Sequence, residues 1–156
     1  EPVGNPLLAG VGPGAWSSRA DVPDMTHHGE VKIVPLRVAS DHSVATGDSD
    51  PRGKPVLGAD GAVAGTVVDL WVDRAEMLFR YLELRLDDGS HRLLPIPFAR
   101  IKQDGVHVQA LNGHQFAQVP TTRLPEQITL LEEEKIAACY GAGTLYATPE
   151  RQEPLM

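Results

Sequence analysis

The sequence predicts a mainly β protein: a small antiparallel barrel or sandwich with an irregular N-terminal segment and one short C-terminal helix. Three observations lead there. Asp-Gly pairs recur at Asp60-Gly61, Asp88-Gly89 and Asp104-Gly105, each between β-rich runs, and Asp-Gly supplies the positive φ angles of a tight hairpin turn. The runs alternate apolar and polar residues with the period of two of a half-buried strand. Fifteen Gly and 13 Pro are too many for a helical bundle, and their placement divides the chain into three.

Residues 1–50 read as an irregular leader. Gly4-Asn5-Pro6, Gly10 to Gly14, Ser17-Ser18 and Thr46 to Asp50 are loop signals, and Val31 to Val38 is the one strand candidate. A leader of this length is expected to pack on the barrel or on partner subunits. Residues 51–120 form the expected barrel core, with strands over Ala62–Val72, Phe79–Leu86, Arg92–Ile96 and Val106–Leu111. In the second strand Leu82, Leu84 and Leu86 share the apolar face, opposed by Tyr81, Glu83 and Arg85. Val106, Val108 and Ala110 alternate with His107 and Gln109 in the same way.

Residues 121–156 form a C-terminal extension. Thr129-Leu130-Leu131-Glu132 is a capping box, in which the Thr hydroxyl and the Glu carboxylate satisfy each other's backbone donors. A helix is expected from about 130 to 140, stopped by Gly141 and Gly143 and seated on the barrel by Leu131, Ile136 and Tyr140. Glu132, Glu133 and Glu134 read as a solvated face.

The 156 residues carry 14 Lys and Arg against 21 Asp and Glu, a net charge of −7. A domain of this size buries a core without disulfides or a structural metal, and the single Cys139 permits no internal bridge. Inside the expected helix, Cys139 reads as a small buried side chain. Non-specific phosphate-backbone binding needs clustered Lys and Arg, so no nucleic-acid partner is expected. There is no run of about 18 apolar residues to span a bilayer, and the chain itself is expected to be soluble. No Walker loop or nucleophile elbow occurs, and Gly10 to Gly14 lacks the strand and helix that a dinucleotide fingerprint requires.

Two clusters carry potential chemistry. Asp24, His27, His28 and Glu30 gather nitrogen and oxygen ligands just before the first strand candidate. Such a set suits a surface proton or metal site, because His titrates near neutral pH and an adjacent carboxylate raises its pKa; an ordinary exposed loop is the alternative. Asp69, Asp73, Glu76 and Arg80 follow the apolar Val67-Val68 and Leu70-Trp71-Val72. A strand that ends in this way delivers carboxylates to one rim of the barrel, where burial under a partner would raise their pKa values and Arg80 would hold one ionised. A solvated turn with a surface ion pair is the competing reading.

At this point the chain resembles the H subunit of the photosynthetic reaction centre of purple bacteria, whose cytoplasmic portion is a PRC-barrel. The resemblance rests on Gly10-Val11-Gly12-Pro13 with Trp16, Lys32-Ile33 with Pro35, Gly65 with Val67-Val68-Asp69, and Trp71-Val72-Asp73. It continues through Asp88-Gly89-Ser90 with Arg92-Leu93-Leu94-Pro95, Val106-His107-Val108, Phe116-Ala117 with Pro120-Thr121, and Thr129 to Glu133 with Lys135-Ile136.

The resemblance implies a non-enzymatic subunit that caps the L and M subunits, stabilises them and conducts protons to the secondary quinone. It would lie at the cytoplasmic face of the bacterial inner, photosynthetic membrane, associated with it through an N-terminal transmembrane helix ahead of this region. This domain itself would bind no cofactor; bacteriochlorophyll, bacteriopheophytin, quinones and non-haem iron are expected in the partner subunits. The family's relay glutamate falls on Glu76, its acidic neighbour on Asp73 and the nearby arginine on Arg80. Its surface site for proton uptake, an acid and two histidines, is met only by His28. Thr26 replaces the acid and Glu30 the other histidine, with His27 a possible substitute. PRC-barrels also serve as stand-alone adaptor domains, and that is the alternative reading; a small metal hydrolase using His27, His28 and Glu30 is a third.

Overall fold

The computed structural model describes residues 19–39, 41–44 and 50–146. The leader signals at Gly4 to Pro6, Gly10 to Gly14, Ser17-Ser18 and Thr46 to Ser49 lie outside the described residues, as does Trp16. Seven strands form one sheet: β1 (Ile33–Pro35), β2 (Pro55–Leu57), β3 (Val63–Asp73), β4 (Leu78–Leu86), β5 (His91–Pro95), β6 (Arg100–Lys102) and β7 (Gly105–His107). Among the described residues a single α-helix, α1 (Leu130–Tyr146), follows. The strand order is β5-β4-β3-β2-β7-β6, with β1 paired to β3.

All three Asp-Gly pairs lie in hairpin turns, joining β2 to β3, β4 to β5 and β6 to β7. Gly61 and Gly89 take φ of 78° and 85°, values that a side chain would strain. One junction departs from an all-antiparallel succession: β2 runs parallel to β7, Val56 opposite Val106 and Leu57 opposite His107. The last strand is shorter than its alternation suggests, because Val108 N–H donates to Leu57 O at 2.9 Å and the chain then leaves the ladder.

Long β3 is the spine, with β4 along one edge and β2, then β1, along the other. Its residues from Val67 on are almost all buried, which accounts for the run Val67-Val68 and Leu70-Trp71-Val72. The β3–β4 ladder slips twice. Val68 has no partner between the Val67–Leu84 and Asp69–Glu83 pairs, and Arg80 has none between Trp71–Tyr81 and Val72–Phe79. Each is a β-bulge, a device that re-aims side chains. The polar face expected on β4 is solvated only at Arg85: Tyr81 and Glu83 are buried along with Leu82 and Leu84.

Helix α1 opens with the predicted capping box. Thr129 N–H donates to Glu132 Oε1 at 2.8 Å, and Glu132 N–H donates to Thr129 Oγ1 at 3.0 Å. The helix does not stop at Gly141 but continues to Tyr146. Gly143 serves close approach rather than termination: a Cβ there would meet Ala110 O at 2.4 Å. Ile136 and Tyr140 are fully buried, Leu131 only partly, and the Tyr140 hydroxyl donates to Leu93 O at 3.0 Å. Cys139 is buried, its thiol pushed up to about 12 by burial.

Candidate functional site

The turn between β3 and β4 carries three of the four acid-cluster residues. Asp73, the last residue of β3, is fully buried. Its Oδ1 accepts the N–H groups of Ala75 and Glu76 at 2.9 and 3.0 Å, so the carboxylate itself folds the turn. Met77 closes the turn with φ 58°, donating its N–H to Asp73 O. Arg80, the bulge residue, reaches back: Nε lies 3.1 Å from Asp73 Oδ2, and Nη2 donates to Glu76 Oε2 at 2.6 Å. Glu76 is half exposed, at 52%.

Burial alone would raise the Asp73 pKa, but the Glu76 N–H, Arg80, the Ala75 N–H and Lys32 outweigh it and hold the carboxyl below its ordinary value. Asp73 is thus the rim carboxylate that Arg80 holds ionised. With two backbone donors and two cations aimed at it, Asp73 is a fixed negative charge.

Lys32, not singled out from sequence as a site residue, joins the two clusters. Its Nζ lies 3.6 Å from Asp73 Oδ2 and 3.4 Å from Asp24 Oδ2. The loop of the first cluster is thereby tied to the rim. Thr26 accepts backbone N–H groups of His28 and Glu30 on its hydroxyl, and Glu30 pairs with Arg74 at 3.4 Å. His27 and His28 are exposed. Among the described residues no three His, Cys, Asp or Glu side chains gather closely enough to hold a metal ion. His27, His28 and Glu30 share this exposed loop, with Glu30 also paired to Arg74.

The charge run predicts a solvated face at Glu133, and the structure corrects this. The Tyr81 hydroxyl, on β4, donates to Glu133 Oε1 at 2.7 Å. Burial raises the Glu133 pKa; the Tyr81 bond opposes the rise, the Asp24 charge adds to it, and Arg80 and Lys32 counter it. Glu133 is thus electrostatically part of the rim cluster and is its one carboxyl held above the usual range. Its neighbours have other uses: Glu132 caps the helix and Glu134 pairs with Arg19.

Asp69 does not join the rim. With Glu83 it forms a second, buried network, in which Arg37 Nη1 lies 2.8 Å from each carboxylate. Glu83 also accepts from the Trp71 indole N–H at 2.8 Å and from His91 Nδ1 at 2.6 Å. Burial would raise the Glu83 pKa, but Arg37, His91 and Trp71 together lower it. Arg37 further bonds Glu126 and Pro125 O, fastening the segment after β1 to both the barrel and the C-terminal extension.

Two family models match this chain. Residues 1–38 match the photosynthetic reaction centre H-chain N-terminal region, and residues 45–115 match the PRC-barrel domain. Together the two matches support a reaction-centre H chain with a PRC-barrel domain. The two halves of the site fall in different matched segments of the H chain. Asp24, His27, His28, Glu30 and Lys32 lie in its N-terminal region; Asp73, Glu76 and Arg80 lie in its PRC-barrel. Glu133 lies beyond both. The mainly β sheet with its short C-terminal helix is the architecture of that barrel, and among the described residues no helix is long and apolar enough to cross a membrane.

Proposed function

We propose that this H chain caps the L and M subunits at the cytoplasmic face of the photosynthetic membrane, stabilises them, and conducts protons to the secondary quinone during light-driven cyclic electron transfer. Pigments, quinones and iron would be held by L and M. Full reduction of a quinone takes up two protons at a site kept from bulk water, so protons must travel along titratable side chains and ordered water. One observation carries the reading: ion pairs run without a break from Asp24 through Lys32, Asp73 and Arg80 to Glu76, from the leader loop to a turn tip.

The members have different tasks. His28, with His27 and Glu30 beside it, takes up protons at the surface. Asp73 stays ionised and holds Arg80 and Lys32 in place, so that the path carries a constant field. Glu76, half exposed at the tip, passes protons on. Glu133, half-buried and bonded to the Tyr81 hydroxyl, is the carboxyl of the cluster whose pKa burial raises. The stand-alone adaptor reading gains no support of its own, whereas the match of residues 1–38 to an H-chain region favours the reaction centre.

The test is Glu76→Gln in the assembled reaction centre. Proton uptake coupled to the second electron transfer should slow by about tenfold or more, the scale of a lost proton-transfer group, with the first electron transfer unchanged. An unaltered second step would overturn the assignment.

A further inference from the structure

Away from the rim, a cleft of about 900 Å³ opens over the outer side of β3, β4 and β5, between the residues after β1 and the segment around 121–125. Its volume is that of a small-molecule site. Leu36, Val68, Trp71 and Leu93 give it an apolar lining, and Val68 is there because it is a bulge residue. Four arginines also line it: Arg37, Arg52, Arg92 and Arg123.

Three of these have carboxylates of their own. Arg37 serves Asp69 and Glu83, Arg52 serves Asp50, and Arg123 serves Asp21 and Glu132. Arg92 does not. Its Nη1 and Nη2 donate to the carbonyl oxygens of His91 and Ala117 at 2.9 and 3.0 Å. Among the described residues no carboxylate lies within ion-pair distance of it, and its Nε–H is buried with no acceptor. Buried donors nearly always find a partner, and a guanidinium is shaped for carboxylate or phosphate. Asp88 acts on Arg92 only at longer range, and the Asp69 and Glu83 carboxylates of the lining are taken by Arg37, so an apolar wall beside a cation with no ion-pair partner suits a ligand with both characters.

We propose that this cleft binds a single-chain amphiphilic anion, its carboxylate or phosphate head drawn to Arg92 and its hydrocarbon lying over Leu36, Val68, Trp71 and Leu93. The site is independent of the proton path. The ligand could reach it as a free acyl anion or from an anionic phospholipid, and the two sources separate experimentally.

The Arg92 Nε–H and Trp71 indole N–H signals of the ¹⁵N-labelled 156-residue chain report the site directly. Titration with dodecanoate below its micellar concentration should move both saturably, and dodecyltrimethylammonium should move neither. Arg92→Gln should weaken the response at least tenfold while the Trp71 signal stays dispersed. If that variant does not fold, Arg92→Lys, which keeps the charge, should retain saturable binding. A response to phosphatidylglycerol vesicles as well as dodecanoate supports the lipid source; a response to dodecanoate alone supports the free acyl anion. No shift with dodecanoate, an equal shift with the cationic surfactant, or an equal shift with inorganic phosphate alone would overturn the proposal.

Discussion

The domain holds two ionic networks, each built on buried carboxylates and the same residue types, that behave oppositely. Around Arg37, the carboxylates of Asp69 and Glu83 share one guanidinium, with His91 and the Trp71 indole completing Glu83. At the rim, the cations Lys32 and Arg80 converge on Asp73, while Glu133 is left with only a phenol as its direct hydrogen-bond partner. The first network is a lock: its shifted carboxyl, Glu83, is driven down. The second keeps one fixed charge and one carboxyl raised towards neutrality. Burial does not by itself make a proton carrier; the number of donors and cations aimed at the carboxylate decides.

The largest effect should come from the lock. Arg37→Met leaves Asp69 and Glu83 buried without their shared guanidinium, and because Arg37 is 37% exposed solvent screening brings the loss below the cost of breaking a fully buried pair, about 3–5 kcal/mol. Arg80→Met leaves Asp73 with Lys32 and two backbone donors, and should cost about 1 kcal/mol, the net value of an ordinary hydrogen bond. Urea unfolding of the two variants compares them, and equal losses would erase the distinction between the networks.

Acid should separate them next. Asp73 and Glu83 are depressed in the folded state. Their stabilisation is therefore complete above their ordinary values of 3.8 and 4.5 and is lost as pH falls through the lower folded-state values. Glu133 has the opposite sign: its penalty is absent below 4.5 and grows as pH rises towards its folded-state value. In thermal melts, Glu83→Gln should flatten the acid limb, whereas Glu133→Gln should gain at neutral pH relative to acid. Parallel shifts in both variants would contradict these signs.

A smaller effect tests Tyr81. Tyr81→Phe removes the bond that lowers Glu133, so the carboxyl should titrate still higher by ¹³C NMR, with a stability loss of about 1 kcal/mol. The smallest concerns the turn. Met77 holds a left-handed conformation that costs a non-glycine residue about 1 kcal/mol or more. Met77→Gly should raise the melting temperature slightly, because the freedom gained by the unfolded chain offsets part of the relief.

Much of this was legible in the sequence. The Asp-Gly pairs located the three hairpins, Thr129 and Glu132 the helix start, and the spacing of Asp73, Glu76 and Arg80 a single turn. What escaped depends on contacts distant along the chain. Nothing local says that Val68 and Arg80 are bulges, yet those slips send Asp69 to Arg37 and Arg80 to Asp73. Lys32 is an unremarked strand-edge lysine until β1 lies on β3. Glu133 sits in a run of three glutamates, and only the docking of α1 on the barrel, which brings it to the Tyr81 hydroxyl, sets it apart. Gly143 reads as a helix stop because sequence shows its freedom and hides the Ala110 carbonyl beneath it.

The difference between the networks is tested most directly by two isosteric substitutions in the assembled reaction centre, Glu76→Gln at the rim and Glu83→Gln in the lock. The rate of the second, proton-coupled electron transfer to the secondary quinone is measured for each. The rim variant should slow that step about tenfold or more and the lock variant should leave it unchanged despite its lower stability. Slowing by Glu83→Gln with a normal rate in Glu76→Gln would contradict the division of labour proposed for the two networks.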